Sequence, residues 1–244
     1  MPNIDRVLKS LLSDSPLVTD LAGFGLCENS AMVQKGDVFI ASATDLGQRQ
    51  AHVEQALAAG AVAILYDQDA NAPKAQGALM YAVENLAQRK SALAVKFYAA
   101  PSAQVDCVGI TGTNGKTSIG FHVANFSDLL GVPCGYCGTL GWGRVEALAE
   151  AALTTPNAVE MQRRIANLRD NKITRLALEV SSHALAQSRI DDVQIDVAVF
   201  TNLTRDHLDF HKTMEDYGKA KSRLFTHWPL KLAVINGDDD FGRS

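Results

Sequence analysis

The sequence predicts an α/β protein with a small N-terminal α/β domain, residues 1–100, followed by a second, mainly parallel α/β domain, residues 101–244. Three observations lead to this prediction. Apolar, strand-like runs alternate with helix-like stretches along the whole chain. Pro101 separates two such series, because proline disfavours helix in the residue before it. The sequence then ends soon after a strand-like run, so the second domain is expected to be incomplete.

The first domain contains three strand-like runs and two helix-like stretches. The strands are predicted at 37–41, 61–66 and 78–83, and the helices at 52–59 and 85–98.

The second domain begins with an apolar strand, a glycine-rich loop and a helix. The predicted elements are a strand at 105–110, a helix from Lys116, a strand near Val132, a helix at 158–168, strands at 176–180 and 195–200, a helix at 214–224 and a strand at 232–235. Such alternation implies a parallel sheet with helices on both faces and ligands at the carboxyl ends of its strands.

Composition excludes several classes of function. The chain has 244 residues, 47% of them hydrophobic, which is enough for a folded core, and its net charge of -4 argues against nucleic acid as a partner. The N-terminal residues, MPNIDRVLKSLL, do not resemble a signal peptide, and no apolar run approaches the roughly 18 residues of a membrane span. We therefore expect a cytoplasmic protein without membrane insertion.

The four cysteines do not predict a metal site. Cys134 and Cys137 have ligand-like spacing, but Cys27 and Cys107 do not form a second pair. We expect buried or idle thiols in a reducing compartment rather than zinc.

A phosphate-binding loop is predicted between the strand at 105–110 and the next helix. The sequence GITGTNGKT at 109–117 fits the Walker A spacing in the strand-to-helix context that such a loop requires. Backbone amides and the helix N-terminus would hold phosphates, Lys116 would reach the β and γ phosphates, and the Thr117 hydroxyl would face magnesium. The alternative is an ordinary glycine-rich turn. The predicted ATP-binding residues are Gly112, Thr113, Asn114, Gly115, Lys116, Thr117 and Ser118.

The amino-acid sequence of this loop resembles that of the Mur ligase family, which includes the folylpolyglutamate synthetases. Further motifs follow in order and, with the loop, span residues 109–225: TTPN at 154–157, EVSSH at 179–183 with Gln187 and Arg189, TNLTRDHLD at 201–209, and YGKAK at 217–221. Together they are similar to the tripeptide synthetases of the MurE type.

The resemblance implies roles for four predicted magnesium ligands: Thr117, Glu179, His207 and a carbamylated Lys221. It also implies that Lys116 and Lys221 are the catalytic residues. The residues alone leave alternatives open. Glu179 closes an apolar strand and suits magnesium, or it forms a structural salt bridge. His207 by itself would be a capping or core histidine, and Lys221 part of a solvated basic face.

Carbon dioxide adds only to a neutral amine, so the pKa of Lys221 must be depressed. On a helix over 214–224, Lys221 shares a face with Tyr217, Leu224 and Phe225, whereas Lys219 points elsewhere. We expect Lys221 to be buried, and Lys219 to face solvent with an ordinary pKa.

Contacts to the UDP-muramoyl peptide are implied for six residues: Ser30, Thr154, Thr155, Ser181, Gln187 and Arg189. Their hydroxyl, amide and guanidinium groups suit sugar, peptide and carboxylate or phosphate groups. The alternative for Arg189 is a surface ion pair with Asp191 or Asp192. In the first domain the family has a Ser-Arg pair, of which only Ser30 is matched, since Ala31 takes the place of the arginine.

The implied function is an ATP-dependent amide-bond ligase of peptidoglycan precursor synthesis, with ATP, Mg²⁺ and carbamylated Lys221. It would add the third amino acid, meso-diaminopimelate, to UDP-MurNAc-L-Ala-D-Glu through an acyl phosphate, as a monomer. The amino-acid pocket is expected in a further domain after residue 244, without which this part alone would be inactive. The alternatives are a truncated, non-catalytic nucleotide- or UDP-precursor-binding module and another amino-acid ligase of the Mur family.

Overall fold

The computed structural model describes residues 4–13, 23–69 and 71–244, and divides the chain into two compact units, Met1–Ala100 and Pro101–Ser244. Both units are α/β, which confirms the predicted fold class. Within the described ranges, no helix is long and apolar enough to cross a membrane. Residues 1–3 of the stretch that we compared with signal peptides lie outside them.

The first unit is built on a parallel sheet whose four strands follow one another in chain order. They are β1 (Leu26–Cys27), β2 (Val38–Ala41), β3 (Ala63–Asp67) and β4 (Leu79–Val83). Three helices accompany them: α1 (Ile4–Leu12), α2 (Leu46–Ala58) and α3 (Leu86–Phe97). Lys96 on α3 joins two of these helices, because its amine donates to the carbonyls of Ser10 and Leu11 at the end of α1.

The second unit is built on a seven-stranded sheet. Its strands are β5 (Asp106–Thr111), β6 (Cys134–Gly138), β7 (Gly141–Arg144), β8 (Ala147–Ala149), β9 (Arg175–Glu179), β10 (Val197–Phe200) and β11 (Leu232–Ile235). Their spatial order is β11-β10-β5-β9-β6-β7-β8, and the first five are parallel. The β7 and β8 strands run antiparallel at one edge.

Helices cover both faces of this sheet. The helices of the unit are α4 (Lys116–Leu129), α5 (Ala158–Asp170), α6 (Ser182–Ala186), α7 (Leu208–His211), α8 (Met214–Thr226) and α9 (Asp240–Arg243). Successive side chains of a strand point to opposite faces. On β9, Leu176 and Leu178 therefore join a core with α5 and α8, whereas Ala177 joins a core with α4.

Several elements differ from the sequence prediction. Helix α2 begins at Leu46 rather than at 52, because the Asp45 carboxylate accepts from the Gln48 amide and caps a polar first turn. Strand β6 begins at Cys134, beyond the predicted position near Val132. The sequence patterns also missed β1, the β7–β8 hairpin and the short helices α6, α7 and α9, whose few residues give no clear periodicity. Helix α1 was missed although Val7, Leu8 and Leu11 recur at helical spacing and are buried.

All four cysteines lie in the described part of the chain, where they are buried and form no disulfide bond. Burial raises the pKa of both the Cys134 and the Cys137 thiol to about 11. The pair lies within β6 as part of the sheet core.

We expect Leu224→Ala to lower the free energy of unfolding by about 2–5 kcal/mol, because it leaves a cavity in the core between the sheet and α8. The matched control is Leu129→Ala on α4, where the side chain is 74% exposed and the expected change is within about 0.5 kcal/mol. Denaturant unfolding of both variants measures the difference. Equal losses would contradict the placement of α8 against the sheet.

Candidate active site

The glycine-rich loop leaves the carboxyl end of β5 and enters α4 at Lys116. Gly112 has φ +145°, and a Cβ at this position would overlap the hydroxyl of Thr201. Gly115 has φ +84° and forms the N-cap of α4. Glycine is therefore required at position 112 by both the backbone conformation and the contact with the segment after β10.

Residues 201–204, which follow β10, hold the loop through backbone and side-chain groups. The Thr113 amide donates to the Asn202 carbonyl at 2.8 Å, and the Asn114 amide donates to Asn202 Oδ1 at 3.0 Å. The Thr201 hydroxyl donates to the Asn114 carbonyl at 2.6 Å, and the Thr204 amide donates to Thr113 Oγ1 at 3.0 Å. The loop conformation is thus fixed by its neighbour in the sheet.

These contacts divide the predicted ATP-binding residues into two groups. The amides of Thr113 and Asn114 are already used by Asn202. Gly115, Lys116, Thr117 and Ser118 occupy the N-cap and the first turn of α4, where backbone N–H groups have no acceptor within the helix. This first turn is therefore the part of the loop that is best arranged for a phosphate.

Lys116 folds back over the loop. Its amine donates to the carbonyls of Gly112 at 3.0 Å and Thr113 at 2.9 Å. Burial lowers the pKa of Lys116, and the charges of Glu179 and Asp206 oppose that effect.

Glu179, at the end of β9, has a completely buried carboxylate that accepts from three side chains and one amide. Thr117 Oγ1 donates to Oε2 at 2.9 Å, and Thr139 Oγ1 donates to the same oxygen at 3.2 Å. The Tyr136 hydroxyl and the Thr139 amide donate to Oε1. The structure therefore places two of the predicted magnesium ligands, Thr117 and Glu179, in direct contact.

The chemistry of this pair fits Mg²⁺. Magnesium takes oxygen ligands at about 2.0–2.1 Å in an octahedron, which puts neighbouring ligand oxygens roughly 3 Å apart. The Thr117 Oγ1 and Glu179 Oε2 atoms are separated by 2.9 Å. Both oxygens can face one cation after the threonine hydroxyl turns its proton away.

Lys221 lies on α8 and is 1% exposed, as the helix-face argument predicts. Its amine donates to the Gly112 carbonyl at 2.7 Å and lies 4.5 Å from the centre of the Tyr217 ring. Burial, with the nearby positive charge of Lys116, lowers the pKa of Lys221 to about 7.

Lys219, on the same helix, forms an exposed ion pair with Glu215 at 2.7 Å, and this pairing raises its pKa. The prediction of exposure is confirmed, whereas the expected ordinary pKa of Lys219 is wrong because of the ion pair.

His207 lies near Tyr217, the residue whose ring is also close to the Lys221 amine. Its ring is centred 6.1 Å from the Tyr217 ring and 4.9 Å from that of His183, and its Nε2 lies 3.6 Å from Asp206. The residue occupies the N-cap position of α7 with φ +51°, and its side chain is exposed. Thr117 and Glu179 thus form one group, and Lys221 and His207 both lie near the Tyr217 ring.

A sequence model of the Mur ligase middle domain matches residues 110–244, more than half of the chain. The chain belongs to the Mur ligase family.

Named relatives are similar along nearly the whole chain. A protein of Xanthomonas campestris pv. campestris named UDP-N-acetylmuramoyl-L-alanyl-D-glutamate--2,6-diaminopimelate ligase is 46% identical over 237 residues, covering 97% of this chain and 48% of that protein. A protein of the same name from Pseudomonas aeruginosa is 46% identical over 217 residues, covering 88% and 44%. This Mur ligase chain therefore spans about half the length of the curated relatives that it matches.

Solved structures show the same fold. A structure of a UDP-N-acetylmuramoyl-L-alanyl-D-glutamate--2,6-diaminopimelate ligase is 31% identical, with a TM-score of 0.69 over 90% of this chain and 44% of the other. MurF ligase from Thermotoga maritima is 23% identical, with a TM-score of 0.58 over 87% and 45%, so that similarity concerns the fold.

Five of the residues with predicted substrate contacts lie close together in the second unit of the Mur ligase chain. Thr155 is 1% exposed, and its hydroxyl donates to the Glu179 carbonyl at 2.8 Å and accepts from the Ser181 amide at 3.1 Å. Arg189 donates to the Thr155 carbonyl at 3.0 Å and to the Gln187 side chain. The Thr154 hydroxyl is 3.0 Å from that of Thr139.

Asp191, one of the two suggested ion-pair partners of Arg189, pairs with Arg223 at 3.0 Å. Ser30 belongs to the first unit, where it is buried and donates its hydroxyl to Gln55 at 2.7 Å.

Sequence reasoning missed Tyr136 and Thr139, the two residues that share the Glu179 carboxylate with Thr117. Thr139 carried a usable signal, because it is a polar residue directly after a strand that ends at the ligand-binding edge. Tyr136 carried none, since an aromatic residue within a buried strand normally indicates packing.

We expect Gly112→Ala to destabilise the second unit more than Gly131→Ala does. Both glycines have positive φ, for which a Cβ costs about 1–2 kcal/mol, but nothing lies within 4 Å of a Cβ at Gly131. At Gly112 the loop must also move away from Thr201. Denaturant unfolding gives the comparison, and hydrogen exchange of the amides at 113 and 114 should quicken in Gly112→Ala alone. Identical losses with unchanged exchange would contradict this loop geometry.

Proposed function

We propose that this chain is the nucleotide- and precursor-binding part of an ATP-dependent ligase that adds meso-diaminopimelate to UDP-MurNAc-L-Ala-D-Glu. One observation carries the proposal: the Walker A lysine, Lys116, and the buried Lys221 both donate to the Gly112 carbonyl, beside the Thr117–Glu179 pair. Relatives that bear the corresponding name support the choice of substrate and amine. Because the chain covers about half of each relative, the complete reaction belongs to the proposal.

In this proposal, ATP phosphorylates the D-glutamate γ-carboxylate, the amine attacks the acyl phosphate, and phosphate leaves. Negative charge moves between phosphate oxygens and the acyl oxygen during these steps. The N–H groups at the start of α4 and the Lys116 amine hold that charge. Lys116 already lies above the loop, so it exchanges two carbonyl partners for phosphate oxygens by a side-chain rotation.

Thr117 and Glu179 would hold one Mg²⁺, and His207 with Lys221 as a carbamate would contribute to holding a second. Bound magnesium supplies positive charge at the phosphates. Lys221 fits the modification, because its low pKa leaves much of the amine neutral near pH 7. A carbamate nitrogen retains one N–H, so the bond to the Gly112 carbonyl survives the modification.

Ser181, Gln187 and Arg189 would contact the peptide of the precursor, with the guanidinium facing a carboxylate or phosphate. Thr154, which is partly exposed, would contribute a hydroxyl. Thr155 would act indirectly, by positioning Ser181, since its hydroxyl already links the Glu179 carbonyl to the Ser181 amide. Ser30 would serve the uridine end from the first unit. We place the enzyme in the cytoplasm as a monomer, where ATP and a UDP-linked precursor meet.

We expect Lys116→Ala to weaken binding of a non-hydrolysable ATP analogue by about 1.5–3 kcal/mol, the contribution of one charge-assisted contact. Lys219→Ala is the matched control, because that lysine is exposed and paired with Glu215. Titration calorimetry in magnesium measures both variants against the unchanged protein. Equal dissociation constants for all three proteins would remove the nucleotide assignment.

Lys221, and not Lys219, is expected to form a carbamate. Protein equilibrated with ¹³C-bicarbonate should give a carbamate ¹³C resonance that disappears in Lys221→Ala and persists in Lys219→Ala. The buried amine supplies a neutral nucleophile, whereas the ion pair with Glu215 keeps the Lys219 amine charged. A resonance that survives Lys221→Ala and is lost in Lys219→Ala would reverse the assignment.

A further inference from the structure

The two oxygens of the Glu179 carboxylate have partners of different kinds. Oε1 accepts from the Tyr136 hydroxyl and from the Thr139 amide at 3.0 Å. Oε2 accepts from the hydroxyls of Thr117 and Thr139, at 2.9 and 3.2 Å. The threonine hydroxyls can turn their protons away from Oε2. At Oε1 the Thr139 amide is fixed by the backbone, and the Leu140 amide donates to the Tyr136 hydroxyl oxygen at 3.4 Å, which leaves the phenol proton for Glu179.

Tyr136 is held firmly on β6. Its side chain is completely buried, and its ring packs where Gly120 leaves room, since a Cβ at that position would lie 3.2 Å from a ring carbon. A Cβ at Gly138 would overlap both the Tyr136 hydroxyl and Glu179 Oε1. The phenol is a hydroxyl donor, and its proton goes to Glu179 Oε1.

We propose that Tyr136 is a positioning residue for the magnesium site: its hydroxyl fixes Glu179 Oε1 and so directs Oε2 towards Thr117. The inference rests on the proposed function, in which Thr117 and Glu179 hold Mg²⁺. A carboxylate without this bond rotates about its last side-chain torsion, which is broad and roughly two-fold. The orientation that presents Oε2 beside Thr117 Oγ1 then loses population, while the phosphate-binding turn at the start of α4 is unaffected.

Tyr136→Phe tests this directly, because it removes one hydroxyl and keeps the ring. The measurement is the dissociation constant of a non-hydrolysable ATP analogue in excess Mg²⁺ and in EDTA, by titration calorimetry. The dissociation constant in EDTA divided by the dissociation constant in Mg²⁺ reports how much magnesium strengthens nucleotide binding. We expect that ratio to fall about tenfold in Tyr136→Phe, the effect of about 1.4 kcal/mol, with the constant in EDTA unchanged.

The matched control is Tyr98→Phe in the first unit, which removes a hydroxyl bonded to the Leu26 amide at 2.8 Å. Its ratio should equal that of the unchanged protein. Gly120→Ala provides a second perturbation of the same bond, since the added methyl group would lie 3.2 Å from a ring carbon of Tyr136 and has no Glu179 atom among its nearest neighbours. Should Tyr136→Phe fail to fold, as judged by circular dichroism, the ratio in Gly120→Ala decides the question.

The outcomes separate the inference from the function on which it rests. If magnesium does not strengthen nucleotide binding in the unchanged protein, the proposed metal site is wrong, and the positioning role of Tyr136 is then wrong as well. If magnesium strengthens binding there and equally in Tyr136→Phe, only the positioning role is wrong. If both dissociation constants rise by the same factor in Tyr136→Phe, the positioning role is also overturned, because such a change indicates general structural damage.

Discussion

Burial of the Glu179 carboxylate is the constraint around which the second unit arranges its loops. A carboxylate removed from water must be compensated by donors, because an uncompensated buried charge costs several kcal/mol or more. The donors here come from α4, β6 and the turn after β6, through Thr117, Tyr136 and Thr139. One side chain at the end of β9 therefore connects the start of α4, which follows β5, to the turn that follows β6.

The same constraint accounts for the small residue at the end of β6. Gly138 lies where any Cβ would displace the bond between Tyr136 and Glu179. On the other side of the loop, Asn236 donates to the Thr201 carbonyl at 2.7 Å, and Asp239 accepts from the Leu203 amide at 3.0 Å. The turn after β11 is thus hydrogen-bonded to the segment after β10, which in turn is hydrogen-bonded to the glycine-rich loop. At the candidate site, the residues that follow one strand are therefore held by the residues that follow its neighbour.

Features that depend on neighbouring positions in the chain were predictable from the sequence. The phosphate loop, the strand that ends at Glu179 and the buried face of α8 follow from spacing and periodicity alone. Lys221 and Lys219 are two positions apart on one helix, and that separation is enough to bury the first and expose the second. The family-derived roles of these residues stay predictions.

The partners of Glu179 were not predictable, because they depend on the order of strands in space. Strand β9 lies between β5 and β6 although both precede it in the chain, so Thr117, Tyr136 and Thr139 meet Glu179 from 40 to 62 positions away. Alternation of strands and helices specifies a parallel sheet without specifying this order. The β7–β8 hairpin was missed for a local reason: its strands have four and three residues and contain two glycines.

The charges around Gly112 give the proposed carbamate a consequence for the apo site. As an ammonium, Lys221 is repelled by Lys116, whose charge helps to lower the Lys221 pKa, although both amines donate to the Gly112 carbonyl. Conversion of Lys221 to a carbamate would replace that repulsion with an attraction, and the charge of Glu179 already favours the charged form of Lys116. Lys116 would then have two anionic neighbours in the apo site, Glu179 and the carbamate. Two anions outweigh the one lysine cation, so the apo site would carry net negative charge and would favour the approach of a divalent cation such as magnesium.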